Sequence, residues 1–159
     1  VHHMYPYDLR KSEIEPLDKN IVHALAQNAR INLVELAHQH KTSINVIKSH
    51  LQKLHKAQLL DAFVLDVNFE LFGMQHFQIN FSLKNHSKIN SIITSVAQNP
   101  KATFATVTLG RYDLALEFAV ENVKELRAII NDLKEKYFQH IVDYDVFILQ
   151  EHKILWFPL

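Results

Sequence analysis

The sequence lacks cysteine altogether and has only two glycines, Gly73 and Gly110, in 159 residues. Without cysteine there can be no disulfide, no thiolate zinc site and no thiol nucleophile, and this composition fits the reducing cytoplasm, where we place the protein. With so few glycines, the chain also lacks the glycine-rich loop that cradles phosphates. No apolar run approaches the roughly 18 residues that a membrane span requires, so we expect no membrane partner.

Net charge is also absent, because 17 Lys and Arg balance 17 Asp and Glu. The charges are nevertheless unevenly distributed. Between Lys19 and Leu60, six basic residues stand against one acid, Glu35, whereas residues 61–159 carry twelve acids and nine bases. A basic head on a mildly acidic body is the layout expected of a DNA-binding regulator.

Residues 13–60 contain three apolar-periodic segments separated by short polar breaks. Pro16 is tolerated in the first turn of a helix and predicts a helix start. Asn32 predicts the cap of a second helix, with Glu35 three residues later, and Ser43 the cap of a third. The expected buried positions are Leu17, Ile21, Ala24 and Leu25 in the first helix, Leu33, Leu36 and Ala37 in the second, and Ile44, Ile47, Leu51 and Leu54 in the third.

The opposite face of the third helix is the predicted DNA-reading surface. Asn and Gln can pair with adenine edges in the major groove, whereas Lys and Ser bind phosphates or guanine. The alternative interpretation is an ordinary solvated helix face, but the tight turn before the helix and the basic surroundings favour DNA contact. The candidate DNA-binding residues are Ser43, Asn45, Lys48, Ser49, Gln52, Lys53 and Lys56.

After Leu60 the apolar period changes from helical to alternating. A short strand is expected over residues 62–67, followed by a turn near Gly73. Further strands are predicted around 76–83, 102–109, 112–120 and 142–148, and helices around 89–97 and 123–137. We divide the chain into a lead or tag remnant at 1–12, a helix-turn-helix domain at 13–60, a connecting strand and linker at 61–73, and a second domain at 74–159.

The order in the second domain is βαββαβ, the ferredoxin-like arrangement, so the predicted fold class is α+β. Its sheet normally has helices on one face only. The other face is expected to carry His76, Gln78, Asn80, Glu117, Asp143 and Asp145 together with Ala105, Val107, Ala115, Phe147 and Leu149. Because this mixture is too apolar to be left wholly wet, we expect the face to pack against a second copy of the chain.

These features resemble those of the leucine-responsive regulatory protein and asparagine-regulator (Lrp/AsnC) family of transcription factors over about residues 17–149. The shared pieces are Leu17-Asp18 with Ile21 and Leu25, then Ala29-Arg30-Ile31, Glu35-Leu36-Ala37, Ser43, and Leu51 with Leu54. The second domain adds Leu109-Gly110-Arg111-Tyr112-Asp113-Leu114, which is similar to the family's Gly-x-Tyr-Asp signature.

The resemblance implies a sequence-specific transcriptional regulator with a winged helix-turn-helix. It implies a homodimer, commonly assembled further into an octamer, that binds double-stranded DNA and senses an amino acid or related small metabolite. The effector-binding residues that it implies are Thr106, Thr108, Gly110, Tyr112 and Asp113. A structural alternative remains open, in which Gly110 turns a hairpin and Asp113 caps or pairs locally, because turns favour the same residue types.

The sequence departs from the family at glycine positions that flank the third helix. The family places glycine before that helix, where this chain has Lys41, and after it, where the chain has Ala57 or Gln58. If Lys41 adopts a left-handed conformation, the cost is roughly 1 kcal/mol relative to glycine. The family also tends to have arginine near His50, and this exchange weakens a phosphate contact, so a degenerate head kept for its shape is an alternative.

Other chemistry is not favoured by the residue pattern, and we predict no enzyme, no metal and no cofactor beyond an effector. His38 and His40 are two apart, a spacing that points them to different faces of a helix. Asp143 and Asp145 share a strand face but have no nearby histidine or serine motif for acid–base work. The many histidines keep one enzymatic alternative open, a siroheme decarboxylase on the same architecture.

Overall fold

The computed structural model of the protein describes residues 13–60, 62–65 and 67–150. They form two compact units, one within residues 13–65 and one within residues 67–150, and each is described by itself. The expected lead at 1–12 and the apolar residues 154–157 lie outside the described residues. No helix in the described ranges combines the length and apolar character that crossing a membrane requires.

The first unit consists of three helices, α1 (Pro16–Gln27), α2 (Leu33–Gln39) and α3 (Ile44–Lys56). All three predicted starts are confirmed. Pro16 is the first residue of α1, where its missing N–H removes no helical hydrogen bond. The Asn32 side chain accepts a hydrogen bond from the backbone N–H of Glu35 at 2.8 Å, and Ser43 Oγ accepts one from the N–H of Val46 at 3.3 Å.

A small apolar core joins the three helices. Its buried members are Ile21, Leu25, Leu36, Ala37, Ile47 and Leu54, and the partly buried Leu17, Leu33 and Leu51 pack against them. The predicted stripe of α3 is wrong at Ile44, which is exposed. Ile44 is the first residue of α3, so it projects beyond the edge of this short three-helix core.

Backbone conformation at the ends of α3 matches the departures from glycine in the sequence. Lys41, before the helix, has φ +51°, and Gln58, after it, has φ +55°. Both therefore adopt the left-handed region that costs a residue with a Cβ about 1 kcal/mol or more. Ala57, the other candidate for the second position, is right-handed.

The strand expected over residues 62–67 is wrong for the described part of that range. Residues 62–65 and 67 have no strand assignment, and Phe63, Val64 and Leu65 are exposed. A strand is stable only when its backbone groups pair with a neighbour, and no described strand of this chain pairs with these residues. A short apolar run alone therefore predicted a strand that has no pairing partner among the described strands.

The second unit has the predicted βαββαβ order. Its elements are β1 (Gln75–Leu83), α4 (Ile89–Val96), β2 (Ala102–Val107), β3 (Leu114–Val120), α5 (Val123–Tyr137) and β4 (Ile141–Leu149). The four strands form one sheet in the order β2-β3-β1-β4, with every neighbouring pair antiparallel. This is the ferredoxin-like topology.

The core of this unit lies between one face of the sheet and the two helices. Every second residue of β1, namely Phe77, Ile79, Phe81 and Leu83, is buried there, as the alternation predicted. These side chains cluster with Ile89, Ile92 and Val96 of α4 and with Leu126, Ile130 and Leu133 of α5. The outer members of the predicted helix stripes, Ala97 and Val123, are exposed instead.

An irregularity in β2 changes which of its side chains reach the sheet face that carries no helices. Ala102 pairs with Phe118, but the next pair is Phe104 with Glu117, so Thr103 is the extra residue of a bulge. Beyond the bulge, Thr106 lies opposite Ala115, while Ala105 and Val107 lie opposite the core residues Leu116 and Leu114. The prediction that Ala105 and Val107 face outward is therefore wrong, and Phe104 and Thr106 take that face.

Candidate DNA-binding face and effector pocket

One side of α3 presents polar side chains to solvent. Asn45, Lys48, Ser49, Gln52 and Lys56 are all exposed. At 100° per residue they fall within an arc of about 100°, opposite the buried Ile47 and Leu54. We call these five residues the outward face of α3. They are five of the seven candidate DNA-binding residues; Ser43 precedes the face, where its hydroxyl caps the helix.

The seventh candidate, Lys53, is held by carboxylates of the first helix. Its Nζ donates to Glu15 Oε1 at 2.6 Å and to Asp18 Oδ2 at 2.8 Å. The count of basic residues started at Lys19, just after these two acids. It therefore overstated the positive charge that is available to DNA. Lys53 is placed against α1 rather than on the outward face.

Asp18 is the centre of this contact between α1 and α3. Its side chain is only 1 % exposed, and it accepts hydrogen bonds from His50 Nδ1 at 2.6 Å, Lys53 Nζ and the backbone N–H of Glu15 at 2.8 Å. Burial alone would raise the pKa of this carboxyl, but the hydrogen bonds from Lys53, His50 and Glu15 together outweigh burial and lower the pKa from 3.8 to about 2. Asp18 is therefore ionised under all ordinary conditions.

The same cluster is the one group of three potential metal ligands among the described residues. Glu15, Asp18 and His50 each offer a ligand atom, and these atoms lie within 4.8 Å of one another. The Lys53 ammonium already lies between the two carboxylates. Because a lysine supplies the positive charge, this arrangement is an internal ion-pair network and gives no support to a metal site.

A second candidate site is a cavity of about 190 Å³ at the turn between β2 and β3. Its lining includes three of the five predicted effector-binding residues, Thr108, Gly110 and Tyr112. Gly110 has φ +145°, which only glycine adopts without strain. Thr106 lies on the same side of the sheet but is not part of the lining. The remaining lining residues, which the sequence interpretation missed, are Gln78, Asn80, Leu109, Arg111 and Ala115.

Asp113 does not face this cavity. Its Oδ2 accepts from the backbone N–H of Leu83 at 2.6 Å, and its Oδ1 lies 2.7 Å from His86 Nε2. Its own N–H donates to the carbonyl of Phe81 at 2.8 Å. Asp113 thus ties the turn to the end of β1, which is the structural alternative that the sequence left open.

Arg111 is the charged residue that lines the cavity, and Asp145 lies beside it. The Arg111 side chain is 73 % exposed, and its guanidinium lies 5.1 Å from the centre of the Tyr112 ring and 4.0 Å from Asp145 Oδ2. The Tyr112 hydroxyl donates to Asp145, and this hydrogen bond raises the pKa of Tyr112. The Thr108 hydroxyl donates to the carbonyl of Tyr112 at 2.7 Å and closes the turn. A cation that lines a small concave site therefore has a carboxylate as its neighbour.

The sheet face without helices is partly apolar. Strand pairing places Glu117 and Ala115 beside Gln78 and Asn80, and it places Phe147 and Asp145 on their other side. Phe104 and Phe147 are 48 % and 45 % exposed on this face. We call this surface the open face.

Four of the described histidines that motivated the tetrapyrrole alternative each have a partner of their own. His50 bonds Asp18, His55 Nδ1 lies 3.2 Å from the carbonyl of Leu60, His76 pairs with Glu117 at 3.3 Å, and His86 pairs with Asp113. These four partners are spread along the chain. The described histidines therefore offer no observation in favour of siroheme binding.

Comparison with known proteins gives this architecture a family context. Residues 14–60 match a family model described as winged helix-turn-helix DNA-binding. The structure of E. coli AsnC superposes with a TM-score of 0.70 at 23 % identity, over 91 % of this chain and 97 % of AsnC. The chain has the Lrp/AsnC fold. The head and the ferredoxin-like unit that the sequence predicted are thus confirmed in their order and type.

Two further proteins to which this chain is similar are described as transcriptional regulators. An uncharacterised HTH-type transcriptional regulator of Pyrococcus abyssi is 23 % identical over 134 residues, which cover 81 % of this chain and 91 % of the relative. A transcriptional regulator from Neisseria meningitidis, solved as a complex with L-methionine, superposes with a TM-score of 0.70 at 16 % identity, over 87 % of this chain and 90 % of that protein.

Proposed function

We propose that the protein is a transcriptional regulator that binds double-stranded DNA through the outward face of α3. Its second unit would bind an amino acid or a related small metabolite. The observation that carries the proposal is the arrangement of five exposed polar side chains on one arc of the last helix of a winged helix-turn-helix. In that type of domain the last helix is the element that enters the major groove.

The outward face divides by chemistry into two groups. Asn45, Ser49 and Gln52 carry hydrogen-bonding groups suited to base edges, so they would discriminate between sequences. Lys48 and Lys56 would bind phosphates, which gives affinity but no sequence information. Lys53 is left out of this set, because its ammonium is already paired with Glu15 and Asp18.

The salt dependence of binding tests this division. A duplex would first be selected from a random pool with the whole protein, and its affinity measured at several salt concentrations. Lys48→Gln and Lys56→Gln should each reduce the slope of log K against log salt by about 0.9, the value of one phosphate contact. Lys124→Gln, which removes an exposed charge from α5, is the matched control and should leave the slope unchanged. If the two α3 variants behave like the control, α3 does not contact the phosphates.

For the effector, we propose the cavity at the β2–β3 turn. Arg111 would bind a ligand carboxylate, Gly110 allows close approach of the backbone, and Asp145 offers an acceptor for an ammonium group. A zwitterionic amino acid fits this pair of opposite charges. The L-methionine complex of the Neisseria regulator supports the same class of ligand.

Calorimetry with a panel of L-amino acids tests the effector assignment. We expect at least one to bind the unmodified protein and Arg111→Ala to weaken that binding at least about tenfold, as expected when a charged hydrogen bond is lost. Arg127→Ala, which removes an exposed arginine of α5, is the matched control. Equal binding by both variants would refute the role of Arg111.

We further propose that the open face is covered by a second copy, which gives a homodimer that can assemble further, and that the protein works in the cytoplasm. Two half-exposed phenylalanines on one sheet face favour an isologous contact. Light scattering of the unmodified protein should show a dimer or larger species. The same measurement on Phe147→Asp should show that this species has dissociated. A monomeric unmodified protein would contradict this assembly.

A further inference from the structure

Asp18 is the one charged side chain that is buried among the described residues. It lies in the first turn of α1, yet two of its three hydrogen-bond donors, His50 and Lys53, belong to α3. A buried carboxylate destabilises the folded protein unless it is fully paired. The fold therefore strongly favours the conformation in which Asp18 makes these contacts. The low pKa of Asp18 means that it accepts these bonds throughout the neutral range.

The two donors lie three residues apart on one flank of α3. The apolar contacts of Ile47 and Leu54 hold α3 against the other helices, but hydrophobic burial has no preferred direction. Hydrogen bonds do, because they weaken steeply away from linear geometry. The contact with Asp18 therefore restricts rotation of α3 about its axis in a way that its apolar stripe does not.

We infer that Asp18 and His50 are positioning residues for DNA recognition: their bond fixes the rotation of α3 against α1 and thereby the direction in which the outward face points. The inference rests on the proposed function. Neither residue needs to touch DNA. The orientation of the base-reading candidates relative to the DNA therefore depends on this hydrogen bond.

His50 carries more of this role than Lys53. The imidazole is short, has fewer rotatable bonds than a lysine side chain, and is largely buried beside Asp18. Lys53 reaches Asp18 with a long flexible stem, shares its ammonium with Glu15 and is partly exposed. A flexible donor tolerates a rotated helix, whereas a short buried ring does not.

Four variants of the whole protein test the inference. His50→Ala removes the donor, and Asp18→Ala combined with His50→Ala removes both partners, so that no buried charge remains unpaired. His50→Asn restores an N–H donor close to the position of Nδ1. His55→Ala is the matched control, since His55 is an exposed histidine of the same helix that does not contact Asp18. Circular dichroism would establish that each variant is folded at the assay temperature.

The readout is the ratio of affinities for a duplex selected by the unmodified protein and for a scrambled duplex of equal length, at one salt concentration. We expect His50→Ala and the double variant to lose at least about fivefold of this ratio, while His50→Asn and His55→Ala stay within about twofold. A loss of stability alone would weaken both duplexes equally. If His50→Ala does not fold, the double variant and the rescue by asparagine carry the comparison.

Two results would overturn the inference. One is a folded double variant that keeps the full ratio. The other is His50→Asn as defective as His50→Ala, since the imidazole would then act by its volume and not by its bond. If the unmodified protein itself shows no preference for any selected duplex, the proposed function fails and the inference fails with it, which is a distinguishable outcome.

Discussion

The stability of the helical head should depend on pH through Asp18, and Asp18→Asn isolates that dependence. The pKa of Asp18 is lowered from 3.8 to about 2 in the folded protein. A group with a depressed pKa stabilises the fold at pH values above its unfolded pKa, and the contribution is lost as the pH falls through the folded value. The affected window is therefore about pH 4 down to pH 2, well below neutrality.

The magnitude follows from the difference between the two pKa values. At about 1.36 kcal/mol for each unit by which the pKa is lowered, a pKa lowered from 3.8 to about 2 corresponds to roughly 2.5 kcal/mol of unfolding free energy at neutral pH. About half of this remains near pH 3, and roughly 0.4 kcal/mol remains near pH 2.

Urea unfolding followed by circular dichroism, at intervals from about pH 6 to about pH 2, measures this dependence. The other carboxylates titrate in both proteins, so the quantity to compare is the stability of the unmodified protein minus that of Asp18→Asn. This difference should fall by roughly 2 kcal/mol across the range, with its midpoint near pH 3. A difference that stays constant with pH would refute the argument that the hydrogen bonds of Asp18 outweigh its burial.

Further predictions concern backbone strain, charge and packing. Lys41→Gly and Gln58→Gly should each raise the free energy of unfolding by about 1 kcal/mol in urea titrations, because both residues adopt positive φ; an unchanged midpoint would contradict the strain. Gly110→Ala should lower the stability of the second unit by about 1 kcal/mol or more, because a φ of +145° disfavours any residue with a Cβ. An unchanged midpoint of thermal unfolding would contradict this prediction. Lys53→Gln should change the salt slope of DNA binding by less than half of the effect of Lys48→Gln, because Lys53 is already paired with two carboxylates. Equal effects would indicate that Lys53 also contacts phosphate.

The elements of the fold could be predicted because their signals are local. Pro16, Asn32 and Ser43 each start a helix by supplying a backbone feature that its first turn needs, and this chemistry involves only neighbouring residues. The alternation along β1 likewise reports burial directly. The backbone strain at Lys41 and Gln58 was also predictable, because the Lrp/AsnC family has glycine at these places on either side of the third helix.

The candidate sites were only partly predictable because their partners are distant in sequence. Lys53 has the composition of a phosphate contact, but carboxylates 35 and 38 residues earlier pair with it. Asp113 carries the right charge for a ligand ammonium, yet Leu83 at the end of β1 and His86 just after β1 contact its two oxygens. The bulge at Thr103 shifts the faces of β2, and nothing in the local alternation marks it.

The sequence by itself determined the order and type of the elements, since helix caps, turn residues and apolar periods act over a few residues. The tertiary structure decided which polar side chains remain available to a partner and which are consumed inside the protein. The physical reason is that a charge is neutralised by whatever lies within a few ångströms in space, and that set of neighbours exists only once the chain has folded. Asp18 illustrates both: the sequence places it in the first turn of a helix, and only the fold brings His50 and Lys53 to it.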